Sequence, residues 1–211
     1  MATRIVTISH TTGAAGDTVG RRVAERLGFR YVDEQIIEDA AKRHGLDTGL
    51  VADAERRRSF FTRLLEDLGT VPAVDLAGGS VVLPFDANIP RREDLRALIV
   101  EAIRETAEGG DVVIVSHAAG IPLTGRDDVL RVLVTASFET RVLRVAAGSD
   151  ITKGEAERRL KESDAGRADY FLRFYEVARE LPTHYDLVVN TDKIGPEEAT
   201  DIVVAAAART A

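Results

Sequence analysis

The chain has 211 residues, with 28 basic and 35 acidic side chains, a formal net charge of −7 and no cysteine. The lack of cysteine excludes disulfides, thiolate nucleophiles and cysteine-based zinc or iron–sulfur sites, and the negative balance argues against a general DNA or RNA binder, which would be basic. A hydrophobic fraction of 45% is ordinary for a globular protein and excludes wholesale disorder. The apolar stretch that follows the first four residues is too short for a signal-peptide core. The longest apolar run, 202–208, is far shorter than the roughly 20 residues of a membrane span, so a cytoplasmic location is the expectation.

In chain order, residues 4–9 read as a short β-branched strand ended by polar and glycine residues. Residues 17–27 read as a helix, with Val19, Val23 and Leu27 at i, i+4 and i+8 and Gly28 placed to stop it. Residues 29–32 form a short extended piece and 34–44 a second helix, closed by Gly45. Residues 54–68 look helical through a stripe of Phe60, Phe61, Leu64 and Leu65. Residues 71–89 are rich in Gly, Pro, Asp and Asn, and such a long loop is often functional or mobile. Residues 92–108 predict a helix with Leu95, Leu98, Ile99, Ala102 and Ile103 on one face. Residues 111–116 and 129–135 are strands of the buried type, and 138–147 is a helix. Residues 153–162 and 165–179 predict two charged helices, 185–190 a last strand and 196–207 a last helix. That last helix has Pro196 at its first position and Glu197 and Glu198 in its positive first turn. Strands alternating with helices predict an α/β fold: a parallel sheet with helices on both faces. The whole of 1–211 reads as one domain, with polar helical excursions at 46–90 and 148–180.

The loop Thr11-Thr12-Gly13-Ala14-Ala15-Gly16-Asp17-Thr18 joins the first strand to the first helix. Small residues there let backbone N–H groups turn toward a phosphate at the helix N-terminus. Against the pattern G-x-x-x-x-G-K-[ST], Gly16 and Thr18 match. Thr11 replaces the first glycine, and Asp17 replaces the lysine with the opposite charge. For unit charges about 4 Å apart at an effective dielectric near 20, each such interaction is worth roughly 4 kcal/mol. Asp17 is read either as an N-cap that complements the helix dipole or as a ligand for Mg²⁺ or a sugar hydroxyl. No lysine precedes Lys42, and 24 of the 28 basic residues are arginine, so a replacement cation must be an arginine or come from afar.

The residues Ile8-Ser9-His10 through Gly16, followed by Gly28-Phe29-Arg30-Tyr31-Val32-Asp33-Glu34-Gln35-Ile36-Ile37, resemble the cytidylate kinase-like family of P-loop nucleoside monophosphate kinases. The resemblance continues through Asn88-Ile89-Pro90, Val112-Val113-Ile114-Val115-Ser116-His117-Ala118-Ala119, Arg131-Val132-Leu133-Val134-Thr135 and Arg141. Its most specific part is Asp164-x-x-Arg167 with Tyr170 and Arg173-Phe174-Tyr175. It ends at Tyr185-Asp186-Leu187-Val188-Val189-Asn190-Thr191.

This resemblance implies a three-layer P-loop kinase-like fold with about five parallel strands, an NMP-binding excursion at 46–90 and a lid at 148–180. It implies transfer of the ATP γ-phosphoryl group to a nucleoside monophosphate, CMP or dCMP, with ATP and Mg²⁺ as cofactors. Such chemistry is mostly positioning and charge neutralisation, which gives Arg141, Arg167 and Arg173 a catalytic role. Arg144 and Arg158 are further cations in or near the lid. Gly13, Ala14, Ala15, Gly16, Asp17 and Thr18 would hold the nucleotide phosphates, with Thr18 on the metal. Asp33, His10, His117 and Tyr170 would face the substrate. The partners implied are nucleotides, not DNA or RNA polymers and not membranes; a homodimer or protein partner stays open.

The sequence departs from the family where cations are expected: His10, Asp17 and His117 each stand where the family carries arginine. A catalytically silent nucleotide-binding or protein-interaction module is therefore the alternative. Ser9-His10 and Ser116-His117 each follow a strand. If those strands are neighbours, His10, His117 and Asp17 share one cleft. The choices there are a metal site, acid–base chemistry, a pH-dependent phosphate site or simple hydrogen-bonded loop histidines.

Overall fold

The structure, a computed structural model, describes residues 2–33 and 92–209. Its strands are β1 (Ile5–His10), β2 (Arg30–Val32), β3 (Val112–Val115), β4 (Val129–Thr135) and β5 (Leu187–Asn190). Its helices are α1 (Gly16–Leu27), α2 (Arg92–Glu108), α3 (Phe138–Ser149), α4 (Lys153–Tyr175) and α5 (Pro196–Arg209). The five strands form one sheet in the order β2-β3-β1-β4-β5, and every pairing is parallel.

The strand sequences explain why the sheet is covered on both faces. Ile5, Val112 and Ile114 point into one apolar layer with Ile99, Ile103, Phe171 and Phe174 of α2 and α4. Val6, Ile8, Val113, Val115, Val132 and Val134 point into the other, with Val19 and Val23 of α1 and Ala199 and Val203 of α5. Side chains alternate faces along a strand, so runs apolar at every position, such as Val112–Val115, can be central only in a sheet buried on both sides. This is the expected three-layer α/β architecture, with five parallel strands.

Several boundaries differ from expectation. The two charged helices are one, α4, unbroken from Lys153 to Tyr175. No proline interrupts it, and a buried stripe of Ala156, Leu160, Arg167, Tyr170, Phe171 and Phe174 runs along it. The Thr152 side chain caps its start by accepting from the Glu155 N–H. It stops at Tyr175, short of 179, because Glu176 turns left-handed at φ 58°. The Val177 N–H then reaches back to the Phe171 carbonyl at 3.1 Å, the closing bond of a Schellman motif. The last strand begins at Leu187 because Asp186 turns aside to Arg131, accepting from its backbone N–H at 2.9 Å and from its guanidinium at 2.6 and 3.0 Å. Asp17 is not the N-cap. Ala15 holds that position in the left-handed region at φ 65°, and Asp17 sits inside the first turn. The helices read at 34–44 and 54–68 and the excursion at 46–90 lie outside the described residues.

Candidate functional site

The site lies at the carboxyl end of β1, where ligands of open parallel sheets bind. The β1–α1 loop is bent by two left-handed residues, Gly13 at φ 83° and Ala15 at φ 65°. A side chain at Gly13 would come within 3.1 Å of Arg141 Cβ, so glycine is required there for both conformation and space. With this bend the loop meets the N-terminus of a twelve-residue helix, whose unpaired N–H groups carry partial positive charge. The backbone N–H groups of Gly13, Ala15 and Gly16 are therefore suited to phosphate, whereas that of Ala14 does not join them because it donates to the Thr11 carbonyl at 3.0 Å.

Neighbouring elements clamp the loop. The Thr191 hydroxyl, buried beyond β5, donates to the Ala14 carbonyl at 3.0 Å. Arg144 of α3 donates to Thr191 Oγ1 at 2.9 Å, to its carbonyl at 2.6 Å and to the Gly13 carbonyl at 3.4 Å. Arg141 donates to the Thr12 carbonyl at 3.4 Å, and Thr12 Oγ1 lies 2.7 Å from Ser163 Oγ of α4.

β1 and β3 are neighbours in the sheet, and this brings the two histidines together with their ring centroids 6.1 Å apart. His10 lies against the helix start. A Cβ added at Gly16 would fall 2.3 Å from His10 Cβ, so the imidazole occupies the space that a side chain at position 16 would fill. His10 Nε2 is 3.4 Å from Asp17 Oδ1, and its Nδ1 is 3.4 Å from the Thr11 carbonyl. The bond to His10 is the main cause holding the Asp17 carboxyl below its ordinary value; partial burial opposes it, and the nearby Arg21 cation assists. His117 Nδ1 lies 2.7 Å from Arg167 Nη1. A guanidinium can only donate, so His117 accepts at Nδ1 and carries its proton at Nε2. Burial, then the Arg167 cation and His10, push its pKa well below the ordinary imidazole value, against a weaker pull from Asp17.

The three arginines read as catalytic are all engaged with carboxylates. Arg141 donates to both oxygens of Asp164 at 2.8 and 2.7 Å. Arg173 donates to Asp169 at 2.6 Å, one turn earlier on α4. Arg167, 7% exposed, gives bonds to Glu180 at 2.8 and 2.6 Å, to Ser9 Oγ at 2.8 Å, to the His10 carbonyl at 3.0 Å and to His117. Arg158 stays on an exposed helix face with Glu155 and Glu162.

Tyr170 is fully buried at 0% exposure. Its ring packs against Phe171, Phe174, Tyr175 and His117, a core position with no face open for stacking on a base. Asp33, at the end of β2, lies 3.6 Å from Arg21, which stacks over the Tyr31 ring at 4.2 Å. Thr18 is exposed in the first turn of α1. Among the described residues no group of three or more His, Cys, Asp or Glu side chains is disposed to hold a metal. The donors Asp17 and Thr18 are oxygens, and Mg²⁺ is usually held by one or two carboxylates together with substrate phosphates and water, so the loop's chemistry fits that ion.

A cavity of about 290 Å³ opens between the loop and α4, lined among others by Thr11, Arg141, Asp164, Arg167, Phe171, Arg179 and Glu180. Thr11 Oγ1 and Arg141 Nε are buried without a hydrogen-bond partner. Buried polar atoms are nearly always paired; these two lie behind the cavity wall, whose charged lining of Arg141, Asp164, Arg167, Arg179 and Glu180 gives it its polar character. Sequence reading missed Glu180, Tyr185, Ser9 and Thr191 as members of this region. Ser9, Tyr185 and Thr191 lie within the segments that carry the family resemblance, which was their one signal; Glu180 lies outside them.

A family model described as the cytidylate kinase-like family matches residues 5–193. The cytidylate kinase of Methanocorpusculum labreanum is 27% identical over 202 residues, covering 95% of this chain and 94% of that protein. An uncharacterized protein from Eubacterium ventriosum has a solved structure that superposes with a TM-score of 0.67 at 18% identity, over 96% of this chain and 97% of that one. Shikimate kinase from Acinetobacter baumannii, solved with shikimate, gives a TM-score of 0.52 at 12% identity, over 96% and 91%. At these identities the solved structures speak for the fold, which is that of P-loop kinases. No helix among the described residues is long and apolar enough to cross a membrane.

Proposed function

The chain belongs to the cytidylate kinase-like family, and from that premise we propose that it transfers the γ-phosphoryl group of ATP to a nucleoside monophosphate, with CMP or dCMP as the acceptor. The observation that carries this reading is the family match across residues 5–193, joined to a β1–α1 loop whose backbone suits phosphate.

In this reading the N–H groups of Gly13, Ala15 and Gly16 receive the ATP phosphates, and Arg144 and Thr191 keep the loop in its receptive shape. Asp17 and Thr18 hold Mg²⁺, which when bound neutralises phosphate charge. That role turns the acidic residue at the lysine position from a liability into a ligand. Stretch 148–180 acts as the lid, bringing Arg167 and Arg173 toward the transferring group, with Arg141 beside it on α3. Asp33, His10 and His117 face the acceptor. Because there is little covalent chemistry for the protein to perform in phosphoryl transfer, the work of these groups is to orient the two substrates and to exclude water.

A coupled assay of ADP release, run with ATP, Mg²⁺ and each common nucleoside monophosphate in turn, tests the proposal. Turnover is expected with CMP or dCMP and to a lesser extent with the others. Absence of turnover with every acceptor would sink it.

One observation favours a second reading, a nucleotide-binding module without turnover. Arg141, Arg167 and Arg173 all carry carboxylate partners. Nucleotide binding in a thermal-shift experiment without ADP release would select this reading, since ligand at 100 times its dissociation constant stabilises a protein by about 2.7 kcal/mol.

A further inference from the structure

Glu180 has no counterpart among the residues singled out by sequence, yet it makes the shortest contact of Arg167, 2.6 Å, and a second at 2.8 Å. The guanidinium has five N–H donors. Nε–H and one N–H of Nη2 go to the two carboxylate oxygens of Glu180, the other Nη2 N–H goes to Ser9 Oγ, and the two on Nη1 go to the His10 carbonyl and His117 Nδ1. No donor is left over. Glu180 is fixed in turn by the Tyr185 hydroxyl, which donates to Oε1. The paired, parallel geometry between Arg167 and Glu180 is the one an arginine uses to grip a phosphate. Beside the pair lies the cavity of about 290 Å³, which Arg167 and Glu180 themselves line together with Thr11, Arg141 and Arg179, so there is room for a ligand next to an arginine that is already spoken for.

We propose that Glu180 is an internal stand-in for a ligand phosphate: it latches Arg167 in the empty protein and is displaced when a phosphate group enters the cavity between the β1–α1 loop and α4. This rests on the nucleotide reading of the site given above and adds its regulation. The segment that carries Glu180 directly follows the end of α4 at Tyr175, so its release moves the chain between α4 and β5 without unfolding either element. The ligand class is a phosphate monoester or diphosphate, because a phosphate offers the same bidentate acceptor geometry as a carboxylate and carries more charge with which to displace it. The latch has a cost for affinity, since each incoming phosphate must first break two charge-assisted bonds.

The test compares wild type, Glu180→Gln and Tyr185→Phe by calorimetric titration with inorganic pyrophosphate and, separately, with CMP. Glutamine keeps the shape and removes the charge. Its empty state then holds Arg167 under-compensated, and pyrophosphate is expected to bind on the order of tenfold more tightly than to wild type, a factor worth about 1.4 kcal/mol. Tyr185→Phe leaves both Arg167–Glu180 bonds in place and only loosens the carboxylate, so a smaller gain of a few-fold is expected. It also covers the case in which Glu180→Gln folds poorly, which its thermal unfolding midpoint would reveal. Unchanged or weaker pyrophosphate binding in a folded Glu180→Gln, or in Tyr185→Phe if the first variant does not fold, overturns the latch. A gain for pyrophosphate with CMP silent in every variant upholds the latch and tells against a cytidylate acceptor, so the two proposals fail separately.

Discussion

His117 shows how one side chain is set by its surroundings. A charged partner usually raises or lowers a pKa by attraction; here the neighbour is the Arg167 cation, and it acts with burial to keep the imidazole neutral. The consequence has a definite sign. The unfolded chain takes up a proton at an ordinary value near 6.5, while folded His117 resists it. Stability is therefore complete above about pH 6.5 and declines below it until the depressed folded value is reached. One proton limits the slope to about 1.4 kcal/mol per pH unit. In His117→Asn, the side-chain oxygen can still accept from Arg167 but does not titrate. Urea unfolding of wild type and variant between pH 7.5 and about 5 is expected to show a stability difference that shifts in favour of the variant as the pH falls. A difference that stays constant with pH would contradict the neutral imidazole.

At the scale of elements, glycines separate tight contacts from idle ones. Gly20 lies on the face of α1 that meets β3, and a Cβ there would fall 2.3 Å from Val115 Cγ2. Gly20→Ala is therefore expected to destabilise the protein by about 1–3 kcal/mol, the usual cost of overpacking. Gly148, near the end of α3, has nothing within 4 Å of the same built atom. Gly148→Ala should stabilise by about 0.4–1 kcal/mol, because alanine restricts the unfolded chain and fits the helix. Denaturant midpoints of the two variants, displaced in opposite directions, check both contacts. α4 adds a different lesson. Its local charge pattern suggested two helices, but a buried stripe and the absence of a breaker made it one, and that continuity is what brings Ser163 to Thr12 of the β1–α1 loop, Asp164 to Arg141 of α3 and Arg167 to the end of β1.

The molecule as a whole is a sheet with two separate apolar layers. Ile8 belongs to the layer under α1 and α5, and Ile103 to the one under α2 and α4; both are fully buried. Ile8→Val and Ile103→Val should each cost about 0.5–1.5 kcal/mol. Because they share no cluster, the double variant should equal the sum of the two within about 0.5 kcal/mol. A larger deviation in chemical unfolding would mean that the sheet transmits packing strain from one face to the other. Function gathers at the carboxyl end of the central strands, where the loop, both histidines and Arg167 meet as β1 and β3 end, while ion pairs of Arg22 and Arg26 with Glu197 and Asp201 tie α1 to α5.

The sequence by itself determined the strands, the parallel three-layer architecture and the family. Apolar runs without alternation demand burial on two faces, and motif residues at fixed spacing survive as local patterns. It also located the β1–α1 loop and the unusual acid at position 17, since both are contiguous in the chain. Tertiary structure alone decided which charges meet. Arg167 and Ser9 are 158 residues apart and His10 and His117 are 107 apart in the numbering, and no periodicity encodes such pairs. It decided that Tyr170 is core, because its ring lies on the buried stripe of α4. It decided that Asp17 pairs with His10 and does not cap α1, because Ala15 takes the left-handed entry position. A lone glutamate after a helix has no signature in sequence; only the fold, by placing Glu180 within hydrogen-bonding distance of a saturated arginine, gave it something to do.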